Sequence, residues 1–157
     1  MKLKLGVTCL VIIALLGITV AIVVAGGDLD DHRSCSHCGM DRKAYGYSRM
    51  MVIYENGTQV GVCSLHCAVT EMEEHKENSV QLLLAADRSS RALVDAIKAI
   101  WVVGGKKRGV MTQNPKWAFA TLAAAQSFVN DNGGTITGWD AVLLAARADA
   151  MSTSGRR

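Results

Sequence analysis

Cys35-Ser36-His37-Cys38-Gly39-Met40 and Cys63-Ser64-Leu65-His66-Cys67 are the two stretches on which the chain turns. Four cysteines arrive as a CxxC and a CxxxC. His37 and His66 lie inside the pairs, and Met40 stands just behind the first. Thiolate, thioether and imidazole are the donors that suit Cu(I) and Zn(II). The spacing therefore points to metal binding by Cys35, Cys38, Cys63 and Cys67 or a subset of them, with Met40 close by. Two plainer readings compete: a pair of structural disulfides, and a purely structural zinc knuckle.

What separates the pairs explains how they meet. Residues 45–54 are aromatic, β-branched and Met-rich, which predicts a strand. Glu55-Asn56-Gly57 supplies the Asn-Gly hairpin signal, and residues 58–62 return as a second strand. A hairpin lays its two ends side by side and so brings the cysteine pairs together. Ser64 is placed as a helix N-cap for residues 65–76, where Leu65, Ala68, Val69 and Met72 recur at helical spacing. Cys63 and Cys67 then sit at a helix N-terminus, where backbone N–H groups and the helix dipole favour thiolates. Residues 80–85 read as a buried strand.

The second half repeats the pattern. Periodicity does not separate helix from strand over residues 92–98, but residues 99–103 are strand-like and Gly104-Gly105 halts them. The loop 106–114 carries Lys106, Lys107 and Arg108, read as a solvated run with an acidic docking partner as the alternative. It also carries Met111, by itself an ordinary packing residue. A strand at 117–120, an N-cap at Thr121, a helix at 122–132 ended by Gly133-Gly134 and a strand at 135–139 follow. Asp140 is read as the cap of a last helix reaching about residue 150. Val60-Gly61-Val62-Cys63-Ser64-Leu65 and Trp117-Ala118-Phe119-Ala120-Thr121-Leu122 echo one another as strand-to-helix junctions. The expected class is α+β, with two small β-β-α-β lobes over residues 35–90 and 91–150 and a disordered tail at 151–157.

Residues 5–25 contain no charge, follow Lys2 and Lys4, and precede Asp28, Asp30 and Asp31. Residues 1–26 are therefore a signal anchor or a signal peptide, and the length of the run favours an uncleaved transmembrane helix. Either way the domain is exported, with the lysines left inside. Residues 27–34 read as a polar, acidic linker in which His32 is solvated. Without Lys2 and Lys4 the formal net charge falls from +3 to +1, which excludes a nucleic-acid footprint. There is no Ser/His/Asp nucleophile set and no phosphate-binding glycine loop. The CxxC is followed by Gly39-Met40-Asp41-Arg42-Lys43, with little of the helical patterning a thiol–disulfide oxidoreductase needs.

Cys38-Gly39-Met40, Val94-Asp95-Ala96 leading to Trp101-Val102-Val103-Gly104-Gly105, Gly109-Val110-Met111, Ala118-Phe119-Ala120-Thr121, Gly133-Gly134 and Trp139-Asp140 occur in an order and spacing that resembles the NosL family, the copper-binding accessory proteins of nitrous oxide reductase. The resemblance runs from Cys35 to Leu143. It implies an exported protein of paired β-β-α-β lobes that holds one Cu(I) through Cys and Met sulfur. The implied ligands are Cys38 and Met111, with Met40 as a third sulfur. It also implies nitrous oxide reductase or its assembly machinery as partner, no enzymatic activity, and a place on the inner membrane facing the periplasm or cell exterior. A likeness in fold to organomercurial lyase comes with the family, but no residue constellation here supports that chemistry. The chain departs from the pattern in lacking a lipobox and in carrying Cys35, Cys63 and Cys67 besides Cys38. Those extra thiols leave room for Zn(II) as the alternative metal.

Overall fold

The computed structural model describes residues 27–154, so the apolar segment 1–26 and residues 155–157 lie outside the described residues. Its elements in order are α1 (Asp28–Asp31), β1 (Met50–Tyr54), β2 (Gln59–Val62), α2 (Leu65–Glu74), β3 (Val80–Ala86), β4 (Leu93–Asp95), β5 (Ile100–Val103), β6 (Lys116–Phe119), α3 (Leu122–Asn132), β7 (Thr135–Thr137) and α4 (Trp139–Ser154). Among the described residues no helix is long and apolar enough to cross a membrane.

Two antiparallel sheets share one topology. The first has the order β2-β1-β3-β4 and the second β6-β5-β7. In each, a hairpin leads into a helix whose following strand returns to pair with the first strand of the hairpin. The mixed α+β class and the paired β-β-α-β organisation are therefore present, with β4 added to the edge of the first sheet. The hairpin turn is where Asn-Gly places it: Gly57 adopts φ 85°, its N–H donates to the Tyr54 carbonyl, and Asn56 Oδ1 accepts from Thr58 N–H. One buried cluster runs through both lobes, joining Val52, Val62 and Val69 of the first to Trp101, Ala118, Val142 and Ala146. A second, around Val102, Trp117, Phe119 and Ala125, belongs to the second sheet and α3.

Several elements differ from the sequence expectation for identifiable reasons. The strand starts at Met50 rather than residue 45, because residues 45–48 turn: Tyr45, Gly46 and Ser48 N–H groups bond back to Asp41, Lys43 and Tyr45 carbonyls. The undecided stretch after Ala92 is a strand broken by Asp95, whose side chain accepts from Ile97 N–H while its carbonyl accepts from Ala99. The strand expected to reach residue 139 ends at Thr137, and α4 begins at Trp139, one residue ahead of the expected cap. That helix runs past residue 150 to Ser154.

The segment read as a linker is built into the fold. Asp28 Oδ2 accepts from Arg42 Nη2 at 3.2 Å and from Arg49 Nε at 2.7 Å, and Oδ1 accepts from Arg49 Nη2 at 3.1 Å. Arg42 is 0% exposed and Arg49 7%. Two buried guanidinium groups need a counter-charge, and Asp28 is it. Burial alone would raise the Asp28 carboxyl, but the hydrogen bonds and charge of Arg49 and then Arg42 outweigh it and hold its pKa below the ordinary 3.8. A depressed folded-state pKa adds stability that is present above the unfolded value and lost as pH falls through the folded one. Asp28→Asn is therefore expected to lose about 3–5 kcal/mol at neutral pH. Urea unfolding from pH 7 down to pH 2 should show a shallower loss of stability on acidification in the variant than in the parent; equal slopes would contradict this.

Candidate metal centre

The four cysteines of the opening motif come to one point. Cys35, Cys38, Cys63 and Cys67 offer Sγ atoms that all lie within 4.8 Å of one another, and all four are free thiols. The two disulfides of the plainer reading are not formed. Cys38 Sγ is 3.5 Å from Cys63 Sγ, and Cys63 Sγ is 3.7 Å from Cys67 Sγ. Sulfurs arranged tetrahedrally at about 2.3 Å from a central ion lie about 3.8 Å apart. The spacing in the protein is close to that of a thiolate cage, so the donor set fits a soft or borderline ion with little rearrangement.

Local structure explains the convergence. Residues 35–40 form a tight turn in which Cys35 N–H donates to the Met40 carbonyl and Gly39 N–H to the Cys35 carbonyl, both at 2.8 Å. Gly39 adopts φ 76°, a left-handed conformation that suits glycine. Ser36 ties this turn to β2, donating from both its N–H and its Oγ to the Gly61 carbonyl. The Met50↔Val62 pair closes the hairpin next to Cys63, and Ser48 Oγ donates to the Cys63 carbonyl at 2.9 Å. Cys63 precedes the Ser64 cap position, and Cys67 occupies the first turn of α2. Ser64 takes that position without its side chain capping the helix; its Oγ lies 3.9 Å from Cys63 Sγ instead.

Arg42 pins the arrangement from behind. Its guanidinium donates to the carbonyls of Val62 (3.2 Å) and Met50 (3.0 Å), one on each strand of the hairpin. It also donates to the carbonyls of Asp28 and His32, and to Met51 Sδ. Gly61 makes room for it: a Cβ there would stand 2.5 Å from His32 Cβ and 2.7 Å from Arg42 Nη1.

The thiols are not electrically equivalent. Hydrogen bonds from Cys63 and Cys67 pull the Cys35 thiol well below its ordinary pKa of 9.0 despite burial, and backbone N–H groups of Cys38 and Cys63 add to this. Cys63 is pushed up chiefly through its hydrogen bond to Cys35, and Cys67 through hydrogen bonds to Cys35 and Cys63 and then burial. The helix N-terminus alone favours thiolates at Cys63 and Cys67. Against that, sulfurs this close repel a second anion, which opposes ionisation of the whole set.

Of the two methionines named for the site, Met40 is half-buried and packs against the cluster that contains Cys35, Cys63 and Cys67. Met111 lies on the loop before β6, is 43% exposed, and adopts φ 57°, a conformation uncommon for a side-chain-bearing residue. Its neighbours Val110 and Thr112 line a small cavity with Ser48, Ser64, Leu65, His66 and Lys116, at the start of α2. What holds that loop carries no local signal among its residues. Asp149 of α4 accepts from both Thr112 Oγ1 and the buried Lys116 Nζ. His37, inside the CxxC, has Nδ1 3.8 Å from Glu74 Oε2.

Two outcomes follow. Gly61→Ala should destabilise the fold by about 1–3 kcal/mol and weaken Zn(II) binding together, since the displaced Arg42 holds both strands that position Cys63; urea unfolding and a competition titration with a chromophoric chelator measure the two effects. Metal binding should also release protons, because ligation displaces those that Cys63 and Cys67 hold above their usual pH range, so Zn(II) affinity should rise steadily with pH. Calorimetry in buffers of different ionisation enthalpy would read the release, and an uptake of protons would refute it.

Comparison with known proteins gives a consistent picture. The family model NosL matches residues 27–146. The crystal structure of the copper chaperone NosL from Shewanella denitrificans superposes with a TM-score of 0.55 at 19% identity, covering 68% of this chain and 87% of that one, which establishes a shared fold. No curated protein sequence matches the chain. With the family model spanning the cysteine turn, both sheets and half of the last helix, the chain belongs to the NosL family.

Proposed function

We propose that this chain is an exported, membrane-associated Cu(I)-binding metallochaperone that hands copper to a partner protein by ligand exchange, in the maturation of nitrous oxide reductase. The observation that carries the reading is the convergence of four free thiols within 4.8 Å in a chain of this family. Soft sulfur selects Cu(I) over harder ions. Cys38 and Met111 are the ligands in this reading, Met40 supplies a further sulfur, and Cys35, Cys63 and Cys67 hold the ion more tightly or complete the thiolate set. Copper is cargo: a thiolate or thioether of the acceptor enters its coordination sphere as a ligand of this chain leaves, so the ion is never free. The acceptor is the reductase or its assembly machinery. The chain is not an enzyme. It sits on the inner membrane through residues 1–26, with the lobes facing the periplasm or cell exterior.

One observation favours a second reading. Three of the four thiols are buried, which is the closed tetrahedral environment of a structural Zn(II) site. In that case no metal is transferred and Met111 has no part. Met111→Ala separates the two. Under the copper reading it weakens Cu(I) binding by roughly tenfold, or about 1.4 kcal/mol, and X-ray absorption counts one sulfur fewer. Unchanged Cu(I) affinity, with Zn(II) held by four sulfurs in preference to copper, would overturn the chaperone reading.

A further inference from the structure

The four thiols differ sharply in access. Cys35 is 3% exposed and Cys63 and Cys67 are 0%, whereas Cys38 is only half-buried. Cys38 lies near the tip of the turn 35–40, beside the exposed residues Ser36 and Gly39. A Cβ built on Gly39 would meet nothing within 4 Å, so the space next to Cys38 is open. The other three thiols are walled in by β1, β2, α2 and the shared core. Associative exchange at a metal requires an incoming ligand to approach before an old one leaves, and among the described residues Cys38 is the one cluster thiol that is not buried.

We propose that Cys38 is the gate of the cluster: the metal enters and leaves through this thiolate, and the exchanging partner docks on the face of the turn 35–40 and not on the Met111 loop. This rests on the metal-exchange reading of the same site. The step balances simply. An acceptor thiol bonds to Cu(I), and its proton passes to Cys38 Sγ as the Cu–S bond to Cys38 breaks. One Cu–S bond forms and one breaks, and copper stays Cu(I). The buried thiols are released afterwards, once the ion has been drawn toward the opening.

The first test needs no metal. The reduced full chain in detergent is treated anaerobically with substoichiometric N-ethylmaleimide, and the adducts are mapped by mass spectrometry. Among the four cluster thiols Cys38 should be alkylated about tenfold ahead of the others, because access limits the reaction of buried cysteines. Labelling led by Cys35, Cys63 or Cys67 would show that access does not decide, and would overturn the proposal. The second test uses two bulky substitutions at exposed positions that bind no metal, Glu74→Trp, at the end of α2 against His37 of the turn, and Gln113→Trp beside Met111. Transfer of Cu(I) to glutathione, followed by capture with bathocuproine disulfonate, should slow several-fold in Glu74→Trp at unchanged Cu(I) affinity and proceed normally in Gln113→Trp. The reverse pattern, or no change in either, would refute the gate. A chain that binds no Cu(I) at all would refute the chaperone reading instead, and the alkylation order would still judge Cys38.

Discussion

The buried guanidinium of Arg42 is the contact on which the rest of the first lobe depends. It reaches both strands of the hairpin at the Met50 and Val62 carbonyls, and it reaches the incoming chain at Asp28 and His32. A charged group with no exposure is costly unless every donor is used and the charge is matched. Here the carbonyls use the donors, and Asp28 matches the charge for Arg42 and Arg49 together. Because Cys63 follows Val62 directly, and the turn 35–40 hangs from Gly61, fixing that end of the hairpin also fixes two of the thiols. Fold stability and metal-site geometry are therefore one problem in this lobe.

The second lobe supports the site from further away. Its sheet and α4 complete the core into which Cys35, Cys63 and Cys67 are sunk. Asp149 ties the loop that bears Met111 to α4 through Thr112 and Lys116, and burial of the Asp149 carboxyl, which would raise its pKa, is outweighed by those bonds. Arg88 lies over the rings of Tyr47 and Trp117 at 4.7 and 5.3 Å and so packs the first lobe's turn segment onto the second sheet.

The elements legible in the sequence were those marked by local chemistry. Asn56-Gly57 located the hairpin, Thr121 located a helix start where its side chain does accept from Ala124 N–H, and the cysteine spacing located the cluster. The likeness between the two strand-to-helix junctions foretold the repeated topology. What could not be read depended on contacts between distant residues. Nothing in Asp28 distinguishes it from its neighbours Asp30 and Asp31; its partners stand 14 and 21 positions away. Asp149 looks like any helix-surface acid until Lys116 is seen beside it. The electrical order of the thiols was hidden for the same reason: helix position speaks for Cys63 and Cys67, but the proximity of all four sulfurs decides.

The repeated topology gives the molecule an internal reference. At Thr121 a hydroxyl closes the first turn of α3, whereas at the matching Ser64 it does not, and α2 starts with its leading N–H groups uncapped by that side chain. A missing cap of this kind forgoes about 1 kcal/mol. The same strand-to-helix junction thus exists twice in one chain, once finished for stability and once left open beside two sulfurs. The open copy keeps a positive pole next to the cluster, so that a thiolate cage holding more negative charge than its ion can cancel finds part of the balance already in the backbone.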